Sequence, residues 1–288
     1  MPQWNCGCPN CRAARLGLIP RRTQSSVAVG DESGRWFIVN ASPDLPAQIE
    51  THLDLQPASH SPRNTPISAV LLTNADLDHV LGLFALREGG PLDIYAPRAV
   101  RDTIASCLGA AAVLDAFCGA TWHEPAAEFA PLPAKPGLKP GVFYRAIDLG
   151  GSPPRFAKGA SSGGSHSVAY EFAHATTGGR LLVAPDVGAL NPPFLDALAG
   201  SDAVLFDGTF WSAEELPRVK ANAPKAEEMG HVTIQGCSLE LLRKLSARHK
   251  IYIHINNTNP VLSPDSRERA AVEAAGIVVG SDGLEFEL

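Results

Sequence analysis

Apolar residues crowd Ile67, Val70, Leu71 and Leu72, then recur at Leu77, Val80, Leu81, Phe84 and Leu86 with the three-and-four spacing of a helix face. The first run is short enough for a buried strand, and the second suits a helix packed on a sheet. Residues 27–30 and 35–40 are two strand-like runs joined by Asp31-Glu32-Ser33-Gly34, which predicts a hairpin. Asn40 to Asp44 predicts a turn into a helix through about His52, followed by a loop rich in Pro and Ser up to Thr65. Further strands are expected over residues 92–95, 142–147, 167–172, 180–184, 203–206 and 251–255, with short closing strands over 277–279 and 284–288. Helices are expected over 97–108, with proline at the first position, near 238–248, and after Ser263-Pro264. Strand and helix alternate, so the chain reads as α/β. Between 131 and 164 the composition shifts to Pro, Gly, Lys and Ser around the 142–147 strand, which predicts a mobile surface loop.

Polar chemistry gathers where the central strand gives way to its helix: Asn74, Asp76, Asp78 and His79 stand together there. Carboxylates at a helix start can simply cap it, but a cap explains one aspartate and leaves His79 without a role. A second cluster, Cys6-Gly7-Cys8-Pro9-Asn10-Cys11, opens the chain in a turn-rich setting. Three thiolates so close can wrap one tetrahedral zinc if a distant residue supplies a fourth ligand; Asn257 is the residue nominated, with a water or another residue as the fallback, and reduced surface thiols are the alternative reading of the cluster. Cys107, Cys118 and Cys237 lie in apolar contexts and are expected in the core.

The 288 residues, 45% of them hydrophobic, suffice for one large or two modest cores without disulfides. No apolar run approaches the ~20 residues of a membrane span, and no basic-then-apolar leader is visible, so a cytoplasmic protein is expected. A net charge of -6 with scattered Lys and Arg argues against a nucleic-acid surface.

Asn74-Ala75-Asp76-Leu77-Asp78-His79, with Gly82 beyond it, resembles the His-x-His-x-Asp-His turn of the metallo-β-lactamase fold with its first two histidines replaced. Asn40-Ala41-Ser42-Pro43-Asp44, Phe206-Asp207-Gly208-Thr209, Met229-Gly230-His231 and His254-Ile255-Asn256-Asn257-Thr258-Asn259-Pro260 narrow the match. Together with Pro2-Gln3-Trp4-Asn5-Cys6, they resemble the pyrroloquinoline quinone (PQQ) biosynthesis protein B family nearly end to end. The resemblance implies one αββα metallo-β-lactamase-like sandwich over residues 1–288, with a cysteine-rich zinc-binding turn at 4–12. Members usually carry a short strand before the Pro-Gln-Trp-Asn-Cys segment, so either the start is assigned late or an edge strand is lost.

By the same resemblance, Asp78, His79 and His254 hold one active-site metal, Fe(II) or, in competition, Zn, and Asp186 sits where the fold's bridging aspartate could fall. His231 and Asp76 are the catalytic candidates: a loop imidazole can orient a phenolic hydroxyl, and Asp76 could help hold a second ion. The family implies a PQQ precursor carrying cross-linked Glu and Tyr as partner, and either an iron-dependent hydroxylase of the tyrosine ring or a carrier for transport to the periplasm. A zinc hydrolase, the commonest chemistry of the wider fold, is the third reading, and a homodimer is left open.

Overall fold

The computed structural model describes residues 1–59, 62–134, 137–159 and 163–288. The chain forms two compact units, one of Gln24–Gly178 and one in which Met1–Thr23 joins Gly179–Leu288.

In the unit of residues 24–178, strands β1 (Val27–Gly30), β2 (Trp36–Val39), β3 (Ile67–Leu71), β4 (Leu92–Tyr95) and β5 (Ala120–His123) lie side by side in that order. The first pair is the expected antiparallel hairpin; the later pairs are parallel. Parallel strands covered on both faces need near-continuous apolar sequence, which is why β3 reads as a run and not as an alternation. Ile38, Val70, Leu72 and Ile94 pack with Leu45, Leu83, Val100, Ile104 and Leu114 from the helices into one core. Each such side chain contributes roughly 1.5–3 kcal/mol when fully buried. Strands β6 (Ala130–Pro131), β7 (Val142–Gly150) and β8 (Ser167–His174) form an antiparallel ladder.

Several elements depart from the sequence pattern. The helix after β3 divides into Leu77–Val80 and Leu83–Leu86 around Gly82. A Cβ on Gly82 would stand 2.2 Å from the Ser42 carbonyl oxygen, so the close approach of the 41–42 backbone requires glycine there. The helix expected over 97–108 is regular only over Arg98–Thr103; a wider π turn, Ile104–Leu108, follows. Gly109 at φ +67° reverses the chain into a further helix, Ala110–Phe117, and with β5 this had no distinct apolar pattern to announce it. Within the stretch expected to be loop, β7 is three residues longer than its apolar pattern, and Arg155–Ala157 makes a single 3-10 turn. Residues 135, 136 and 160–162 of that stretch lie outside the described residues.

The second unit is built on parallel strands β9 (Arg180–Ala184), β10 (Ala203–Asp207), β11 (His249–Ile253) and β12 (Val278–Val279). The helix Pro192–Gly200 connects β9 to β10; Asn191 caps it by accepting from Phe194 N–H, and Pro192 occupies its first turn. Phe194, Phe206 and Tyr252 are buried between strands and helices. The helix expected over 238–248 spans only Leu239–Arg243, and β11 begins at His249. After Ser263-Pro264 the helix begins later, at Arg267, capped by Ser266. The strand expected over 284–288 is not formed. Cys107, Cys118 and Cys237, expected in the core, are half-buried. Among the described residues no helix is long and apolar enough to cross a membrane.

Candidate functional site

The turn after β3 is fastened to the turn after β2. Asn40 adopts φ +63°, and its amide donates to Thr73 Oγ1 at 2.8 Å while its oxygen accepts from Thr73 N–H at 2.9 Å. Ala41 N–H donates to the His79 carbonyl at 2.8 Å, and Gly82 N–H to the Ala41 carbonyl at 2.9 Å. His79 is thereby held in a fully buried position. Its Nδ1 lies 2.7 Å from Asn74 Oδ1, which also accepts from Asp76 N–H at 3.0 Å. An amide oxygen can only accept, so Nδ1 carries the proton and the lone pair of His79 is on Nε2. The side chain of Asp76 makes no capping bond to the helix it precedes, and Asp78 lies in that helix's first turn. Capping therefore does not account for Asp76.

In the second unit the functional groups sit at the carboxyl ends of adjacent parallel strands, where open α/β sheets place their ligands. Asp207 ends β10, His254 follows β11, and Asp186 lies two residues past β9; the register Asp207 to Ile253 and Phe206 to Ala184 brings these ends level. His254 adopts φ +55°, a strained conformation for a residue with a side chain. His231, from the loop before the turn Ile234–Ser238, stacks on His254 at 5.8 Å between centroids and 25° between planes. Its Nδ1 lies 2.8 Å from Asp207 Oδ2 and 3.3 Å from Asp186 Oδ1. Burial pushes the Asp207 carboxyl up, but His231, His254 and the Thr209 hydroxyl outweigh it and hold the group below the usual range.

The three cysteines also meet in this unit. Cys6, Cys8 and Cys11 bring their sulphurs within 4.8 Å of one another. The Asn257 amide faces all three, at 3.2 Å from Cys6, 3.6 Å from Cys8 and 3.4 Å from Cys11. Backbone N–H groups of Cys8, Cys11 and Gln3 donate to the sulphurs of Cys6, Cys8 and Cys11 respectively. Burial pushes the Cys6 thiol up, and these donors overcome it to leave the thiol lowered; at Cys11 burial prevails and the thiol is raised. Three converging sulphurs with amide donors behind them fit a zinc ion. Rotating the Asn257 amide by half a turn exchanges its nitrogen for an oxygen facing the cluster. Asn10 holds the segment from the other side, donating to the carbonyls of Asn257 at 3.1 Å and Asn259 at 2.8 Å.

Sequence reasoning missed three groups. Asp207 and Thr209 were visible only as part of a family motif, with nothing to mark their bonds to His231 and His254. Glu215 carried no signal: it is buried in the short helix Glu215–Val219, accepting from Trp211 N–H at 2.7 Å and Thr258 Oγ1 at 2.6 Å. Burial raises its carboxyl to about 7 despite these donors.

A sequence model of the Beta-lactamase superfamily domain matches residues 35–255. The chain is 37% identical to coenzyme PQQ synthesis protein B of Pseudomonas aeruginosa (strain LESB58), over 100% of this chain and 95% of the relative. It is 38% identical to the protein of the same name from Ectopseudomonas mendocina (strain ymp), with the same coverage. The crystal structure of Zn(2+)-bound PqqB from Methylobacterium extorquens superposes with a TM-score of 0.86 at 34% identity, covering 100% of this chain and 95% of that one. A diphosphatase of the PhnP family superposes at 0.68 and 19% identity, over 100% and 92% of the two chains, a likeness of fold alone. The fold is the metallo-β-lactamase α/β sandwich, with mixed sheets flanked by helices. By full-length similarity to its relatives, the chain belongs to the coenzyme PQQ synthesis protein B family of the beta-lactamase superfamily.

Proposed function

We propose that the protein is an Fe(II)-dependent oxygenase that hydroxylates the tyrosine-derived ring of the PQQ precursor in the cytoplasm, with Asp78, His79 and His254 as the iron ligands. The observation that carries this reading is Asn74. Standing where the fold's pattern has its first histidine, it has become the acceptor that orients His79, at 2.7 Å. One histidine site is thus converted into support for the Asp-His pair, and two imidazoles with one carboxylate suit a single non-haem iron. Iron, when bound, supplies oxygen activation. Zinc competes for the same donors.

The chain's own residues then have separable tasks. His231, held by Asp207, orients or deprotonates the phenolic hydroxyl of the substrate. Asp186, beside His231, offers a further carboxylate to the metal. Asp76 remains a second carboxylate at the turn, with a role in proton transfer or in holding an additional ion. Cys6, Cys8, Cys11 and Asn257 form a separate structural zinc site.

The test is anaerobic reconstitution with Fe(II), then addition of oxygen, ascorbate and a cross-linked Glu-Tyr peptide. One oxygen atom enters the ring and the other leaves as water, with two electrons drawn from ascorbate. The expected result is oxygen uptake with mass gain in steps of one oxygen, abolished in His254→Ala. Turnover without oxygen, or full activity in that variant, would rule the mechanism out. Cleavage of model esters by the zinc form alone would favour a hydrolase, and tight precursor binding without turnover a carrier.

A further inference from the structure

Asp207 has the appearance of a metal ligand, since its carboxylate and the rings of His231 and His254 bring donor atoms within 4.8 Å of one another. Its hydrogen bonds argue otherwise. Oδ1 accepts from Thr209 N–H at 2.9 Å and from Thr209 Oγ1 at 2.6 Å; Oδ2 accepts from Val187 N–H at 2.9 Å and from His231 Nδ1 at 2.8 Å. A carboxylate offers about four acceptor sites, and four donors already address this one, two of them backbone amides that cannot turn away.

The Thr209 hydroxyl carries the argument one step further. It has a single proton, and it lies 2.6 Å from Asp207 Oδ1, 2.8 Å from His254 Nδ1 and 2.9 Å from the His254 carbonyl oxygen. The shortest contact, to the carboxylate, takes the proton. With its hydrogen committed, Oγ1 can only accept from His254, so Nδ1 of that ring is the N–H nitrogen and the lone pair lies on Nε2. The same carboxylate fixes His231 directly with Nδ1 as the donor, and the two rings stand nearly parallel.

We propose that Asp207 is a positioning residue that sets both imidazoles at once, His231 directly and His254 through Thr209, so that His254 presents Nε2 as its ligand atom. The proposal rests on His254 being a metal ligand, yet the tautomer exists whichever metal binds and whichever reaction follows. Outer partners of this kind orient ligands, and their loss typically lowers metal affinity about 10–100-fold.

The experiment uses the full-length chain with its cysteine site zinc-loaded and iron withheld. Nitrogen-15 NMR of labelled histidines should show His254 protonated at Nδ1 with a bare Nε2. In Thr209→Val the signals should move toward the opposite tautomer, and Co(II) affinity, read by competition with a chelator, should fall about 10–100-fold. Thr209→Ser keeps the hydroxyl and should restore both; Asp207→Asn should disturb the signals of His231 and His254 together. A wild-type His254 protonated at Nε2 overturns the proposal without any variant having to fold. So does a Thr209→Val protein with unchanged tautomer and unchanged Co(II) affinity. If the tautomer is as expected but the wild type neither binds Fe(II) nor takes up oxygen, the oxygenase reading falls and the positioning role stands.

Discussion

At the scale of single residues, Asn74 in the turn after β3 supplies the acceptor that orients His79. Asn74 cannot serve as an imidazole ligand, but its oxygen does for His79 what an outer carboxylate does for many metal-bound histidines. Asn74→Leu, similar in volume and lacking the acceptor, should therefore lower active-site metal affinity about 10–100-fold while His79 remains in place. Asn74→Asp retains an acceptor for His79 Nδ1, so its affinity should stay close to that of wild type. Chelator competition with Co(II) measures both. Equal affinity in Asn74→Leu and wild type would show that the hydrogen bond at 2.7 Å does not govern the ligand.

At the scale of elements, the segment from His254 to Asn259 serves several neighbours in six residues. His254 follows β11, Asn257 meets the cysteines, Thr258 donates to Glu215, and Asn259 donates to the carbonyls of Gly208 and Thr209. Glu215 ties the helix Glu215–Val219 into this arrangement, and burial raises its carboxyl from 4.5 to about 7. The folded state then holds a proton that the unfolded state has released between those two values. Stability from this group is therefore fully present below about pH 4.5 and is lost as pH rises to about 7. The span of the shift corresponds to about 3 kcal/mol as an upper bound. Glu215→Gln can still accept from Trp211 N–H with its oxygen and donate to Thr258 Oγ1 with its amide. Urea unfolding should find the variant more stable than wild type at pH 8 by up to about 3 kcal/mol, with the gap closing toward pH 5. A pH-independent difference would assign the effect to packing instead.

At the scale of the whole molecule, legibility followed the range of the interactions. Buried parallel strands such as β3 and β10 announce themselves because both faces are covered, so their sequence is a near-continuous apolar run, broken by Ser68 in β3 and closed by Asp207 in β10. The Asp78-His79 pair and the three cysteines are clustered in sequence and were legible for that reason. Asp207 and Glu215 were not, because their roles come from Val187, His231 and Thr258, partners 20, 24 and 43 residues away. The division of the helix at Gly82 escaped notice for the same reason, since the backbone that requires it belongs to Ser42. Asn257, nominated as a fourth ligand for its place three residues past His254, is a long-range neighbour whose amide faces all three sulphurs. Its contact with Cys6 spans 251 residues of sequence and ties Met1–Thr23 into the unit of Gly179–Leu288. A metal at that site binds the folded chain in preference to the unfolded one, so its binding free energy becomes folding free energy. Free zinc at a hundredfold excess over its Kd should stabilise this unit by about 2.7 kcal/mol, and a strong chelator should remove that increment. Cys8→Ser should lose the zinc measured by elemental analysis together with the zinc-dependent part of the thermal midpoint. Hydrogen exchange at residues 254–259 should quicken in the same variant, because Asn257 is their link to the cysteines. Unchanged zinc content in Cys8→Ser, or a midpoint that ignores the chelator in wild type, would reduce the cluster to three neighbouring thiols.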